Sequence, residues 1–110
     1  MEALRDIDGM RTAAELACSH LRLLSHADRL MLLCQLSQGE RSVSELESLL
    51  DIHQPTLSQQ LGVLRNEGLV SVRRDGKRMI YALAEPRVLK LMSLLYEMYC
   101  PQPACQPPAA

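Results

Sequence analysis

The spacing of apolar residues changes two thirds of the way along this chain, and that change most constrains its fold. Before it, Leu57, Leu61 and Leu64 follow one another at gaps of four and three, which is the period of a helix. After it, the runs LVSVRR and KRMIYAL alternate with a period of two. They flank Asp75-Gly76, a pair typical of tight hairpin turns. The sequence therefore predicts helices followed by a small β-hairpin.

Two short helices are predicted just before the hairpin. Ser42 followed by Glu45 is a capping-box pattern, which opens the first of them. The polar segment DIHQ ends it, and Pro55 suits the first turn of the second helix, where a missing N–H costs nothing. Gly68 is placed to end that second helix. Two short helices joined by a turn of about four residues form a helix-turn-helix pattern.

Further helices are predicted on both sides of this pair. Residues 2–22 carry one apolar stripe at helical spacing. Ser25, three residues before Asp28, is predicted to cap the next helix, which ends before Gly39. Residues 86–100 carry an apolar arc too wide for one partner. That arc predicts contact with a second subunit as well as with the domain itself.

Composition supports a single helical domain. A chain of 110 residues suits one domain, and with no Phe, no Trp and three Tyr its core must consist of aliphatic side chains and Met. We predict a mainly α fold with a small β-hairpin wing, a winged helix-turn-helix. Residues 1–100 are predicted to form this winged-helix domain with its dimer contacts, and residues 101–110, PQPACQPPAA, are predicted to form a Pro-rich disordered tail. No apolar run could span a membrane and the N-terminus lacks a signal-peptide pattern, which predicts a cytoplasmic location.

The net charge of −1 conceals one basic segment. Residues 53–78 hold five basic and two acidic side chains, so this segment can bind a polyanion or can simply be a solvated charged face. Gln can read adenine, Ser and Thr can reach bases or phosphates, and basic side chains suit phosphates or the minor groove. The candidate DNA-binding residues are Gln54, Thr56, Ser58, Gln59, Gln60, Arg73, Arg74, Lys77 and Arg78.

These motifs resemble the ArsR/SmtB family of bacterial repressors. The resemblance covers roughly residues 10–100, through LLSHADRLMLLCQLSQGERSVSELESLL, QPTLSQQLGVLRNEGLV and VRRDGKRMIYAL. It implies a homodimer formed by the first and last helices, and double-stranded operator DNA with an inverted repeat as the partner. The usual metal sites of the family are missing, because SVSELESLL has no Cys and residues 86–100 have no His. No metal and no cofactor are therefore predicted.

The cysteines narrow the resemblance to one branch. Cys34 and Cys100 look like the thiol pair of the BigR-type branch, which includes HlyU-like regulators. That likeness implies that reactive sulfur species (sulfide or persulfide) or oxidants bridge the pair and cause release of DNA. By itself, Cys34 also fits a small buried core residue, and Cys18 is predicted to be a packing residue.

An arsenite-responsive repressor is the alternative ligand class. It would use Cys100, Cys105 and either Cys34 or Cys18, since arsenite favours three thiolates.

Other classes of function have less support. The sequence has no C-x-x-C, no Cys–His–Asp/Asn pattern and no Gly-rich phosphate loop, so we predict that it is not an enzyme. A winged helix that binds only protein is a third possibility, and it would not select a specific DNA fragment. His20, His26 and His53 lack a metal-ligand spacing and are predicted to be surface or capping side chains.

Overall fold

The structure, a computed structural model, describes residues 6–100. In chain order the elements are α1 (Ile7–Leu24), α2 (Ala27–Leu36), β1 (Arg41–Ser42), α3 (Val43–Leu50), α4 (Thr56–Asn66), β2 (Val70–Asp75), β3 (Arg78–Leu83) and α5 (Pro86–Tyr99). The helix-turn-helix is α3 and α4, and the wing is the β2–β3 hairpin. The predicted winged helix-turn-helix is confirmed. The predicted disordered tail, with Cys105, lies outside the described residues.

Strand β1 was not predicted. It pairs antiparallel with β3, so that the sheet has three strands in the order β1-β3-β2. Its two residues are too few to show a period, and Ser42 also serves as the N-cap of α3. The predicted capping box is confirmed: the Glu45 N–H donates to Ser42 Oγ at 3.2 Å, and the Ser42 N–H donates to Glu45 Oε1 at 2.8 Å.

Three predicted helix and turn positions are shifted by one residue. His26, not Ser25, is the N-cap of α2, because the Ser25 N–H is used to close α1 through Leu21 and Arg22 carbonyls. Pro55 is the N-cap of α4 and lies just before its first turn.

The hairpin turn is the third shifted feature. It consists of Gly76 and Lys77, because Asp75 is the last residue of β2 and pairs with Arg78. Gly76 has φ +64°, a left-handed conformation that a side chain would disfavour. Gly68, with φ +78°, follows the end of α4 as predicted.

The core is aliphatic, as the composition predicted. Leucines of α2, α3 and α4 pack with the start of β2, the middle of β3 and one face of α5. The fully buried members are Leu32, Leu33, Leu46, Leu57, Leu61, Leu64, Leu69, Val88 and Met92. Helix α1 takes little part, because Leu24 is its one buried residue. Among residues 6–100, no helix is long and apolar enough to cross a membrane.

Candidate DNA-binding surface and cysteine pair

Helix α4 presents polar side chains at its N-terminal end. Leu57, Leu61 and Leu64 face the core, which turns Ser58 and Gln59 outward. Thr56, at the first position of the helix, is half-buried. This arrangement leaves the start of α4 open to a partner, as a recognition helix requires.

Gln54 is part of the cap of α4. Its Oε1 accepts from the Ser58 backbone N–H at 3.1 Å and from Ser58 Oγ at 2.6 Å. The bond satisfies an N–H that has no partner within the helix. The prediction that Gln54 lies near the cap is confirmed, and the structure joins Gln54 and Ser58 as one unit.

Gln60 lies on a different side of the helix. It is half-buried, and its Oε1 accepts from Arg29 Nη1 at 3.1 Å. The Arg29 Nε donates to the Leu23 carbonyl at 2.8 Å, so this guanidinium ties α4 to the junction of α1 and α2. No local sequence pattern indicates this role for Arg29, since its partner is 31 residues away.

The wing arginines are partly engaged with the domain. Arg73 binds Glu40 through two bonds of 3.0 Å each, and Arg78 Nη2 lies 3.2 Å from Glu45 Oε1. The bond from Arg73 holds the pKa of Glu40 below its usual value, and the same pairing raises the pKa of Arg73. Lys77 lies in the turn of the hairpin, and Arg73, Arg74 and Arg78 lie on the strands beside it.

A cleft of about 460 Å³ lies between the helix-turn-helix and the wing. Its lining includes Ser44, Gln54, Ser58, Lys77 and Arg78. It thus joins the start of α3, the cap of α4 and the hairpin turn into one surface, in which polar side chains and the basic Lys77 and Arg78 lie beside apolar ones and Glu47. Within residues 6–100, neither Arg74 nor Lys77 forms an ion pair.

His53 lies in the turn between α3 and α4. Its ring nitrogens are 3.4 Å from Glu47 Oε2 and 2.7 Å from Asp51 Oδ1. The hydrogen bond to Glu47, followed by that to Asp51, raises the pKa of His53. The surface position predicted for His53 is confirmed. Among the residues described, no group of three or more His, Cys, Asp or Glu side chains is arranged to hold a metal ion.

Cys34 and Cys100 meet at one cavity. Cys34 lies on α2, Cys100 follows the last residue of α5, and both line a cavity of about 370 Å³. The rest of its wall is Leu30, Leu95, Tyr96 and Tyr99. The structure therefore brings together the two thiols that the resemblance singled out, although 66 residues separate them in sequence.

The Cys34 thiol is half-buried and held in its neutral form. Burial raises its pKa, and the nearby charge of Cys100 raises it further. Its Sγ lies 3.6 Å from Met92 Sδ, within the range of a weak S–H bond. Cys34 is thus both a partly buried packing residue and a member of the pair.

Tyr96 links α5 to the end of α2. Its hydroxyl donates to the Cys34 carbonyl at 3.4 Å and accepts from Gln38 Nε2. The same carbonyl accepts from Ser37 Oγ at 2.6 Å. Sequence reasoning missed Tyr96 and Gln38, because nothing local marks contacts across 58 residues or more.

The packing role predicted for Cys18 is wrong within the single chain. Cys18 is exposed on the outer face of α1, in a shallow groove with Met10 and Ala14 and between Arg11 and Arg22. The reason is that α1 lies outside the core along nearly its whole length.

The fold, the exposed start of α4 and the basic residues of the wing define the class of the protein: it is a winged-helix transcription regulator that binds DNA. The sequence pattern of bacterial regulatory proteins of the arsR family matches residues 26–72. The chain belongs to this family, as the relatives below also show.

The relatives place the chain beside one branch of the family. It is 56% identical over 80 residues to the biofilm growth-associated repressor of Agrobacterium fabrum, across 73% of this chain and 68% of that protein. The crystal structure of the transcriptional repressor BigR from Xylella fastidiosa superposes with a TM-score of 0.80 and 46% identity, covering 89% of this chain and 97% of that one. Reduced HlyU from Vibrio cholerae gives a TM-score of 0.82 and 35% identity, over 86% and 99%. The predicted relationship to the BigR and HlyU branch is confirmed.

Proposed function

We propose that this chain is a dimeric repressor that senses reactive sulfur species or oxidants through Cys34 and Cys100. In the reduced state, two copies bind an inverted repeat in double-stranded DNA. A covalent bridge between the two thiols releases the DNA. The observation that carries this proposal is that Cys34 and Cys100 line the same cavity.

The exposed start of α4 and the wing support the DNA-binding half of the proposal. Ser58 and Gln59 are exposed at the start of α4, where side chains of a recognition helix reach base edges. Arg74 and Lys77 extend the basic surface along the wing and suit phosphate or minor-groove contacts. The remaining predicted contacts are Gln54, Thr56, Gln60, Arg73 and Arg78. All of these except Thr56 also form side-chain bonds within the domain itself.

Exposed apolar side chains on α1 and α5 support a dimer. These side chains are exposed in the single chain, although removing apolar surface from water is favourable. They are Ile7, Met10, Leu16 and Leu21 on α1 and Leu89, Leu94 and Met98 on α5. Two copies related by a two-fold axis would present two α4 helices to half-sites about one helical turn apart, or a multiple of it.

The contacts of α2 suggest how a bridge could reach the DNA surface. A disulfide requires its two Cα atoms within about 7 Å and a defined torsion, so it would set the end of α5 against α2. Helix α2 packs on α4, and Arg29 of α2 binds Gln60 of α4. A shift of α2 against α5 therefore changes the separation of the two recognition helices, and a rigid inverted repeat accommodates only one separation.

The experiment compares DNA release with the site of modification. Reduced wild type, Cys34→Ser, Cys100→Ser and Cys18→Ser are each bound to operator DNA and treated with an organic persulfide. We expect release from wild type and from the Cys18→Ser control, and retention of DNA by the other two variants. Intact mass and peptide mapping should locate the new bond, or a chain of added sulfur atoms, between Cys34 and Cys100.

Two outcomes would reject this assignment. Release of DNA from Cys34→Ser by persulfide would show that the pair is not the sensor. Release of wild type by arsenite, combined with resistance of Cys105→Ser to arsenite, would instead establish the thiophilic metalloid sensor.

A further inference from the structure

The cavity between α2 and α5 indicates which inducers can reach the thiols. We propose that it binds uncharged hydropersulfides, R–S–SH, whose R group is apolar, and discriminates against those whose R group carries a charge. The inference rests on the proposed function, since it names the class of reactant that bridges Cys34 and Cys100.

The lining of the cavity has no charged side chain. Besides the two thiols it consists of two leucines and two tyrosines, and its wall is almost wholly apolar. A carboxylate or ammonium group that enters this space loses water and meets no side chain of opposite charge, which is unfavourable. For an alkyl group the same transfer is favourable, because it removes apolar surface from water.

The volume suits a small organic molecule. About 370 Å³ lies at the lower end of the range that small-molecule sites occupy, roughly 300–1,000 Å³. Hydrogen sulfide or its persulfide would leave most of this space unfilled. Leu30 and Leu95 offer contact to an alkyl chain while its sulfur atoms reach the thiols.

Two polar groups at the cavity, the Tyr96 hydroxyl and the Cys34 thiol, already have partners within the protein. The Tyr96 hydroxyl bonds to the Cys34 carbonyl and to Gln38, both within the protein. The Cys34 thiol lies against Met92 Sδ, and the rise in its pKa through burial is a second sign of a poorly solvated site.

The chemistry balances with the hydropersulfide as the only reactant. One thiol of the pair, as its thiolate, attacks the outer sulfur of R–S–SH; the S–S bond breaks, and R–SH leaves with the proton, giving Cys–S–SH. The second thiol then attacks the protein-bound sulfur of that persulfide, forms the Cys34–Cys100 disulfide and releases H₂S. The pair loses two electrons, and the sulfane sulfur of R–S–SH gains them as it becomes H₂S.

The test uses two persulfides of equal length with the same reacting end, n-hexyl persulfide and 5-carboxypentyl persulfide, and methyl persulfide as the short reference. The rate of bridge formation in the reduced, full-length protein is followed by mass spectrometry with peptide mapping. The modification of exposed Cys18 in the same samples corrects for differences in intrinsic reactivity. We expect n-hexyl persulfide to react at least tenfold faster than the carboxylated compound, and each buried methylene to add about twofold to fourfold.

Matched variants connect the preference to the cavity. Leu30→Glu places a carboxylate in the lining and should abolish the advantage of n-hexyl persulfide. Leu49→Glu changes an exposed leucine on α3 and should leave that advantage intact. If Leu30→Glu does not fold, Leu30→Trp fills the cavity without charge, and it should slow n-hexyl persulfide more than methyl persulfide.

The outcomes separate the two proposals. Bridging at equal corrected rates by all three persulfides overturns the ligand class and leaves the dithiol sensor standing. Failure of every persulfide to bridge the pair overturns the proposed function and the ligand class with it. An advantage of n-hexyl persulfide that survives in both Leu30 variants shows that its cause lies outside the cavity, and this too overturns the inference.

Discussion

The environment of Cys34 sets how fast the proposed switch can respond. Because burial and the charge of Cys100 raise its pKa, only a small fraction of Cys34 is thiolate at neutral pH. We expect alkylation of Cys34 by iodoacetamide to accelerate as pH rises and to keep accelerating above its usual pKa. Cys100→Ser removes the like charge and should move this profile to lower pH. Peptide-resolved mass spectrometry measures both profiles, and an unshifted profile in the variant would contradict the coupling.

His53 makes the stability of the fold depend on pH. Its folded pKa is raised, mainly by the bond to Glu47, so the folded state holds its proton more tightly than the unfolded state does. The stability this supplies is complete below the usual His pKa of about 6.5 and is lost as pH rises through the raised value. His53→Gln should therefore reduce the free energy of unfolding more at pH 5.5 than at pH 8.5.

Urea unfolding at the two pH values measures this difference. Glu47→Gln should shrink it, since it removes the largest cause of the shift. A loss of stability in His53→Gln that is the same at both pH values would mean that the proton on His53 does not stabilise the fold.

At the scale of elements, the wing contains two kinds of basic residue. Arg74 and Lys77 have no ion pair within residues 6–100, whereas Arg73 already binds Glu40. We expect Arg74→Ala and Lys77→Ala each to reduce the salt slope of DNA binding by about one. Arg73→Ala should lower affinity with a smaller change in slope, because its charge is balanced in the unbound protein.

The ion pair itself provides the control for that measurement. Glu40→Gln breaks the same contact without removing a positive charge from the wing. If Arg73 acts by orienting the wing through Glu40, Arg73→Ala and Glu40→Gln should both weaken DNA binding. The loss should be seen with operator and with random DNA, measured at the same salt concentration. If Arg73→Ala changes the salt slope of DNA binding as much as Arg74→Ala does, Arg73 itself contacts a phosphate.

Local signals account for the elements that the sequence predicted well. The Ser42–Glu45 capping box, the glycine after α4 and the turn of the hairpin depend on residues within three or four positions of one another, so their patterns are visible in the chain. Strand β1 and the pairs Arg73–Glu40 and Arg78–Glu45 bring together residues 33 or more positions apart. Such contacts depend on how the hairpin lies against α3, which no local pattern encodes.

The candidate site divides in the same way. Its residue types could be inferred from the recognition helix, the wing and the resemblance, but their partners could not. Gln60 turns toward Arg29 because that face of α4 packs on α2. The cavity at Cys34 and Cys100 exists because α5 returns across α2, a consequence of the whole fold.

At the scale of the whole molecule, the exposed apolar faces of α1 and α5 predict self-association. Met98→Glu places a charge on the exposed face of α5, where the side chain is 59% accessible. A charge buried in a dimer interface is costly, so we expect this variant to sediment as a monomer and to lose operator binding. Leu49→Glu alters a side chain of similar accessibility, 56%, on α3 and should stay dimeric. Wild-type protein that sediments as a monomer at micromolar concentration would contradict the proposed dimer.

The central claim is that one bond, between Cys34 and Cys100, controls DNA binding. The most direct measurement follows the fraction of bridged chains and the fraction of released operator in the same samples during a titration with persulfide. We predict that release rises with the bridge and that dithiothreitol reverses both together. Operator release that precedes the bridge, or that proceeds fully in Cys100→Ser, would contradict the account.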